Sequence, residues 1–247
     1  MSIDPRTDRA SKIKNEEISN FALINNSVPS LLLIRIYRNH FDKTAKIISL
    51  LKTFGLKKRI ALFASGSGSN AQKIMEYFKK HDEAEVAIIL TNNPEAYVLQ
   101  RADNFEIPSH IFDKHEFTKT DNVVRLLKNL QIDLVILAGF LWLIPQNLLK
   151  AFPNKIINIH PALLPKYGGK GMYGDKVHQF VLDGKEEESG ITIHFVNENF
   201  DDGEIIHQSR FRIEKGDDLE MIKFKGQQLE HLQYPKVVEA LLKKMKS

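Results

Sequence analysis

Three side chains of different chemistry lie in two short segments of the chain. Asn158 and His160 belong to an isoleucine-rich run that ends at Pro161, and the pair Asp201-Asp202 follows about forty residues later. An amide, an imidazole and a carboxylate can together stabilise an oxyanion and move a proton. These residue types therefore favour transfer of an acyl group over metal binding or nucleic-acid cleavage.

The spacing of Asn158 and His160 predicts that both act at one place. Side chains two residues apart in a strand share a face, and Pro161 biases His160 towards an extended backbone. A carboxylate within a few ångströms would raise the pKa of the histidine and favour its protonation near neutral pH. Asp201 is the expected carboxylate, and Asp202 is the alternative. Taken singly, each residue also fits a strand end, a loop hydrogen bond or a hairpin turn.

A glycine-rich segment, Ser-Gly-Ser-Gly-Ser-Asn at 65–70, separates a predicted strand from a predicted helix. Glycines let backbone N–H groups approach an anion, and a helix N-terminus carries partial positive charge. The third glycine of a dinucleotide loop and the Lys-Ser/Thr pair of a triphosphate loop are both missing. We therefore expect a phosphate monoester here. The alternative is a tight turn in which Ser69 or Asn70 caps the helix.

Strands and helices alternate from Arg59 onward. Continuous apolar strands between helices are typical of a buried parallel sheet, so we expect an α/β fold: an open, mostly parallel twisted sheet with helices on both faces. Ligands of such sheets bind at the carboxyl ends of the strands. Strands are expected at 60–64, 86–90, 109–112, 134–138 and 156–159, an antiparallel pair at 191–196 and 205–211, and helices near 71–78, 96–105, 122–130, 145–151 and 219–244, the last bent by Pro235.

The first 57 residues differ from the rest of the chain. Residues 1–27 are polar and aperiodic, and one amphipathic helix is expected at 39–56. We expect residues 1–57 to be a disordered or loosely packed extension and residues 58–247 to form the main domain. A start rich in acidic residues does not resemble a signal peptide, and the apolar stretch at 28–36 is too short to span a bilayer. The cytoplasm is the expected location.

The composition excludes several kinds of site. The 35 Lys and Arg residues are scattered among 31 acidic residues, and the net charge is only +4. This distribution does not predict a nucleic-acid-binding face. The absence of cysteine excludes disulfides, thiolate nucleophiles and cysteine metal sites. The remaining histidines lack the paired spacing of a zinc helix, so we expect no metal and place them on the surface or in the core.

Residues 59–243 resemble the phosphoribosylglycinamide formyltransferase family. The resemblance rests on the segments 66–70, 137–140, 158–167 and 190–196, the last leading to Asp201. It implies the formyltransferase fold, with a Rossmann-like N-terminal half. It also implies transfer of a formyl group from 10-formyltetrahydrofolate to the amine of glycinamide ribonucleotide in purine biosynthesis.

The same resemblance implies roles for individual residues. Asn158 and His160 match the catalytic pair, with His160 as proton donor, and Asp201 matches the aspartate that raises the pKa of that histidine. The residues matched to the nucleotide are Gly68, Ser69, Asn70, Gln227 and Glu230, and those matched to the folate are Leu141, Trp142, Leu143, Ile144, Asn158 and Asn197.

The chain departs from the family pattern on the folate side. Trp142 stands where many members have an arginine, so packing must replace a charged contact. A second expected arginine has Lys114 and His115 as its nearest candidates. The segment 168–174 is unusually rich in glycine, which fits either a mobile flap over the site or a passive surface loop.

Other functions are compatible with parts of this pattern. Methionyl-tRNA formyltransferase shares the reacting set but would bring an RNA-binding domain after the core. Formyltetrahydrofolate deformylase, a hydrolase, would carry a regulatory domain before it. A formyltransferase for another amine and a nucleotide-binding protein without turnover are further alternatives. We expect small-molecule substrates, a monomer or weak homodimer, and no nucleic-acid or membrane partner.

Overall fold

The computed structural model of the protein describes residues 57–245. The helix expected at 39–56, with the rest of the expected extension before it, lies outside the described residues. The strands are β1 (Lys58–Phe63), β2 (Ala84–Thr91), β3 (Ser109–Ile111), β4 (Leu134–Leu137), β5 (Ile156–His160), β6 (Glu188–Phe195) and β7 (Ile205–Arg212).

These strands form one seven-stranded sheet in the order β3-β2-β1-β4-β5-β6-β7. Strands β1 to β5 are parallel to one another, whereas β6 is antiparallel to β5 and β7 is antiparallel to β6. The expected α/β sheet, mostly parallel and ending in an antiparallel pair, is therefore confirmed.

Both faces of the sheet are covered by apolar side chains. In β1, Ile60 and Leu62 belong to one buried cluster, and Ala61 and Phe63 belong to the other. Successive residues of a strand point to opposite faces, so this alternation places one hydrophobic layer on each side of β1. All four residues of β4 are buried for the same reason. Such strands read as continuous apolar runs in the sequence.

The helices are α1 (Ser69–Phe78), α2 (Val98–Asn104), α3 (Lys114–Lys119), α4 (Asn122–Asn129), α5 (Gln146–Ala151), α6 (Asp175–Asp183) and α7 (Leu219–Lys244). Two of them, α3 and α6, were not expected from the sequence. The short α3 buries only Phe117 and is capped by Asp113, which accepts a hydrogen bond from the backbone N–H of Glu116. The buried face of α6 includes His178 among its apolar residues, which weakens its helical pattern.

Helix α7 is continuous over 26 residues, with Pro235 inside it. It packs on the sheet through Val238 and Leu242, which belong to the same buried cluster as Ile60. The buried Tyr234 donates a hydrogen bond of 2.9 Å to the carbonyl of Leu137 at the end of β4. The bend at Pro235 stays a prediction. No helix within residues 57–245 is long and apolar enough to cross a membrane.

Candidate functional site

The structure brings Asn158, His160 and Asp201 together. His160 Nδ1 lies 3.5 Å from Asp201 Oδ2, and the amide of Asn158 donates to Asp201 Oδ1 at 3.4 Å. The imidazole is only 3% exposed and the carboxylate 11% exposed. Asn158 and His160 thus share one face of β5, as their spacing predicts.

The backbone path of the β6–β7 turn distinguishes the two adjacent aspartates. Strand β6 ends at Phe195, which lies opposite Ile157 near the start of β5, so the turn must fold back for its carboxylate to reach His160. Asp201 has a left-handed backbone, at φ 54°, and its carboxylate lies 3.5 Å from the His160 ring. Asp202 is instead hydrogen-bonded to the side-chain amides of two loop asparagines, Asn197 and Asn199. The carboxylate beside His160 is therefore that of Asp201.

The pKa of His160 differs from the expected one. Burial lowers it more than the charge of Asp201 raises it, so the net pKa lies below the ordinary value of 6.5. Asp201 acts in the expected direction, but the larger effect of burial makes the net pKa lower than the ordinary value, not higher. The pKa of Asp201 is itself lowered, because the imidazoles of His194 and His160 and the N–H of Gly169 outweigh its burial.

The tautomer of His160 follows from its second partner. The Nε2 atom lies 2.8 Å from the carbonyl oxygen of Tyr167, and a carbonyl can only accept, so Nε2 carries the proton. Nδ1 is the ring nitrogen nearer to Asp201, at 3.5 Å from Oδ2. Tyr167 has a left-handed backbone, at φ 57°, and its phenol donates to Glu186 at 2.7 Å. This main-chain contact has no signature in the sequence.

His194, expected only on the surface or in the core, is a buried neighbour of the reacting residues. It lies opposite Asn158 in the β5–β6 register. Its Nδ1 donates to the carbonyl of Phe195 at 2.8 Å, which leaves Nε2 to accept from the Asn158 amide at 3.2 Å. His194 therefore orients that amide. Only the pairing of two strands distant in sequence places it there.

The glycine loop presents an uncapped helix N-terminus. Gly68 is the N-cap residue of α1, has a left-handed backbone at φ 69° and offers no side-chain cap. A Cβ at this position would lie 2.5 Å from Val98 Cγ2, so the loop requires glycine. The alternative in which Ser69 or Asn70 caps the helix is wrong, since no side chain makes that hydrogen bond.

Asn70 is bound instead to the terminal helix. Its Nδ2 donates to Glu230 Oε2 at 2.8 Å, whereas its Oδ1 is buried with no partner among residues 57–245. Burial raises the pKa of Glu230 above its ordinary value, although the Asn70 hydrogen bond opposes this shift. Helix α7 thereby brings Glu230 to the glycine loop, as the family pattern implies, while Gln227 lies one turn away and is exposed.

The residues matched to the folate are not equally available to a ligand. Leu141 and Leu143 are 48% and 42% exposed, whereas Ile144 is buried at 3%. The Trp142 ring packs against Phe112 at 6.1 Å between centroids and also against Phe117 and Phe140. The amide and carbonyl of the half-buried Asn197 side chain both bond within their own loop. Lys114 and His115 are exposed on α3.

Two further contacts link loops around the reacting residues. Ser65 Oγ accepts from the N–H of Leu141 at 3.2 Å, which joins the glycine loop to the segment after β4. The N–H of Gly169 donates to Asp201 Oδ2 at 3.0 Å, so the glycine-rich segment 168–174 touches the reacting carboxylate in this structure. Its mobility stays a prediction. No group of three or more His, Asp or Glu side chains suited to a metal occurs within 57–245.

Comparison with known proteins identifies the family of the chain. The family model described as "Formyl transferase" matches residues 58–238. The phosphoribosylglycinamide formyltransferase of Bacillus subtilis is 37% identical over 190 residues, covering 75% of this chain and 95% of that protein. The chloroplastic phosphoribosylglycinamide formyltransferase of Arabidopsis thaliana is 41% identical over 191 residues. This match covers 75% of this chain but only 65% of the plant protein.

Solved structures lead to the same family. Phosphoribosylglycinamide formyltransferase from Streptococcus pneumoniae is 36% identical, with a TM-score of 0.66 over 75% of this chain and 99% of that one. Glycinamide ribonucleotide transformylase 1 from Symbiobacterium toebii is 30% identical, with a TM-score of 0.70 over 77% of this chain and 90% of that one. Because the family model covers most of residues 57–245, the chain belongs to the formyl transferase family.

Proposed function

We propose that this protein transfers a formyl group from 10-formyltetrahydrofolate to the amine of glycinamide ribonucleotide. The observation that carries the proposal is the buried contact of Asn158 and His160 with one carboxylate, Asp201. The names of the bacterial and plant relatives support this choice of substrate. The uncapped α1 N-terminus beside Glu230 supports a phosphorylated acceptor.

The reaction begins when the amine of the acceptor attacks the formyl carbon. A new C–N bond forms, the C=O π bond opens, and its electron pair stays on oxygen as an oxyanion. The side-chain amide of Asn158 is suited to stabilise that charge, since its present hydrogen bonds of 3.2 and 3.4 Å are longer than the usual 2.9–3.0 Å. An oxyanion is a stronger acceptor than either present partner.

His160 carries the proton between the two nitrogens. Burial lowers the pKa of His160, so a neutral imidazole is present to accept the proton that the amine releases. The resulting imidazolium is stabilised by Asp201, 3.5 Å from Nδ1. The intermediate then collapses, the bond from the formyl carbon to N10 breaks, and the proton passes to that nitrogen. The proton is relayed rather than consumed, and His160 acts as donor in this second step.

The remaining residues of the site bind the two substrates. We place the phosphate at Gly68, Ser69 and the N-terminus of α1, where no side chain competes for the N–H groups. The unpartnered Asn70 Oδ1 can accept a hydrogen bond from a hydroxyl of the nucleotide. The exposed side chains of Leu141 and Leu143 are suited to pack against the pterin.

The test is to incubate the full chain with 10-formyltetrahydrofolate and to follow the release of tetrahydrofolate with and without glycinamide ribonucleotide. We expect release that depends on the acceptor and yields the formylated nucleotide in equal amount. Release that does not require an amine would identify a hydrolase instead. The His160→Ala variant is the control for chemistry, and it should lose turnover by roughly 100- to 1,000-fold while retaining nucleotide binding.

A further inference from the structure

Helix α2 holds the glycine loop from outside the substrate site. The N–H of Val98 donates to the carbonyl of Gly66 at 3.2 Å, and Arg101 Nε donates to the carbonyl of Ser67 at 2.7 Å. The same helix sets the space available to Gly68, because Val98 leaves no room for a Cβ there. Two successive carbonyls of the loop are thus directed at α2.

This arrangement determines where the loop N–H groups point. In a trans peptide the C=O and the following N–H are antiparallel. Since the carbonyls of Gly66 and Ser67 point towards α2, the N–H groups of Ser67 and Gly68 point away from it. Without these contacts, the flexible residues Gly66 and Gly68 on either side of Ser67 would let these peptides rotate. A hydrogen bond from a charged donor is the stronger of the two contacts, so Arg101 contributes most to the orientation.

Arg101 is itself held in place by an aromatic ring. Its guanidinium lies over Tyr97, 4.8 Å from the ring centroid, a distance typical of a cation–π contact. Its η nitrogens have no hydrogen-bond partner in the part of the chain that the structure describes. Because Arg101 Nε lies 2.7 Å from the carbonyl oxygen of Ser67, its positive charge lies directly behind the peptides of the loop.

We propose that Arg101 is a positioning residue that makes the glycine loop selective for a phosphorylated acceptor. It acts through the Ser67–Gly68 peptide, by keeping the loop N–H groups directed at the phosphate, and it adds a positive charge behind them. A phosphate monoester carries nearly two negative charges at neutral pH, so both effects strengthen its binding. This inference rests on the proposed function, and it extends the site to a helix outside the residues that the family pattern names.

The test compares two acceptors, glycinamide ribonucleotide and its dephosphorylated riboside, with the wild-type chain and the Arg101→Ala variant. Loss of one charged hydrogen bond predicts a fall of roughly 10- to 100-fold in kcat/KM for the nucleotide. The riboside should lose less than about threefold, and KM for the folate should stay the same. Tyr97→Leu, which removes the supporting ring, should give a smaller loss for the nucleotide only.

Lys79→Ala is the matched control. Lys79 makes a similar contact over the ring of Phe105, 5.4 Å from its centroid, at the far ends of α1 and α2. It should leave the ratio between the two acceptors unchanged. Equal losses for both acceptors in Arg101→Ala, or no loss for either, would overturn the proposal.

A second measurement separates this inference from the proposed function. Inorganic phosphate should raise the Tm of the wild-type chain and raise that of Arg101→Ala much less. If the wild-type chain shows this protection but never transfers a formyl group, the proposed function fails and the role of Arg101 stands. If phosphate protects both proteins equally, the role of Arg101 is wrong whatever the reaction.

Discussion

At the scale of single residues, the ring of His160 is subject to opposing influences. Burial lowers its pKa, while the charge of Asp201 and the hydrogen bond to the carbonyl of Tyr167 raise it. Burial is the largest of these effects, and the net pKa lies below the ordinary value of 6.5, which favours the neutral imidazole. A neutral ring beside a carboxylate is suited to receive a proton during the reaction, because the partner of the imidazolium is already in place.

The Asp201→Asn variant tests this balance. Removing the carboxylate charge takes away an influence that raises the pKa of His160, so the pKa should fall further below 6.5. Turnover should fall by at least about tenfold, because the imidazolium loses its partner. An NMR titration of the His160 ring measures the pKa directly. The neighbouring Asp202→Asn variant should leave that titration unchanged, and an unshifted pKa in Asp201→Asn would assign the influence to a different group.

The Asn158→Ala variant tests stabilisation of the oxyanion. Loss of one well-placed donor predicts a fall in kcat of roughly 100- to 1,000-fold, with KM for the nucleotide nearly unchanged. Steady-state kinetics with each substrate varied in turn measures both quantities. Asn199→Ala removes an amide of the same type that bonds only within the β6–β7 turn, so it should retain nearly full activity. Equal losses in the two variants would point to folding rather than chemistry.

Sequence spacing predicts only part of this site. Asn158 and His160 can be placed together because side-chain direction in a strand depends on odd and even positions alone. The choice of Asp201 requires the path of a turn that folds back, and His194 requires the register between β5 and β6. The net pKa of His160 depends on burial, which spacing does not report.

At the scale of elements, α7 joins the glycine loop to the end of the sheet. It carries Glu230 to Asn70 of α1, and its Tyr234 is anchored to the carbonyls of Leu137 and Ile157 at 2.9 and 3.5 Å. These carbonyls belong to β4 and β5. The strands that end at the site therefore hold the helix that carries Glu230.

The Tyr234→Phe variant measures the strength of this anchor. It leaves buried carbonyls without their phenol donor, and it should lower the free energy of unfolding by about 1–3 kcal/mol. Urea denaturation gives the value. Tyr77→Phe is the matched control, since Tyr77 also bonds to α7, at Glu239, but is 39% exposed. It should cost less than about 0.5 kcal/mol. Similar losses in both variants would show that burial is not what makes the Tyr234 contact strong.

Element types follow from the sequence where the apolar pattern is long. Strands β1, β2, β4 and β5 contain uninterrupted apolar runs, and each lies within two residues of its expected bounds. Helix α3 has six residues and one buried side chain, too few to establish a period. Helix α6 buries His178 beside Val177 and Val181, so a polar residue interrupts its short apolar face.

At the scale of the whole molecule, buried histidines make stability depend on pH. His160, His178 and His231 lie on β5, α6 and α7, and burial lowers the pKa of each below 6.5. Below that pH the unfolded chain binds more protons than the folded one. Each histidine therefore stabilises the fold above about pH 6.5, and this stabilisation is lost as the pH falls.

We expect the free energy of unfolding to decrease from pH 7.5 to pH 5.5, and we expect part of that slope to disappear in His178→Asn. His178 lies outside the proposed chemistry, and it is 8% exposed. Urea denaturation at several pH values measures the slope in each protein. A variant of an exposed histidine, His115→Asn, should leave the slope unchanged. A slope identical in wild type and His178→Asn would mean that this residue is protonated equally in both states.

In chain order, α7 follows all the strands that the structure describes, and this order matters for truncating mutations and for synthesis on the ribosome. Glu230 and Tyr234 are translated only after β7 is complete. A nascent chain that has just emerged through β7 already contains His160 and Asp201, yet the sheet face that Val238 and Leu242 cover is still open to solvent. A nonsense mutation that removes α7 should therefore produce a chain that aggregates or is degraded, and not an enzyme of reduced affinity.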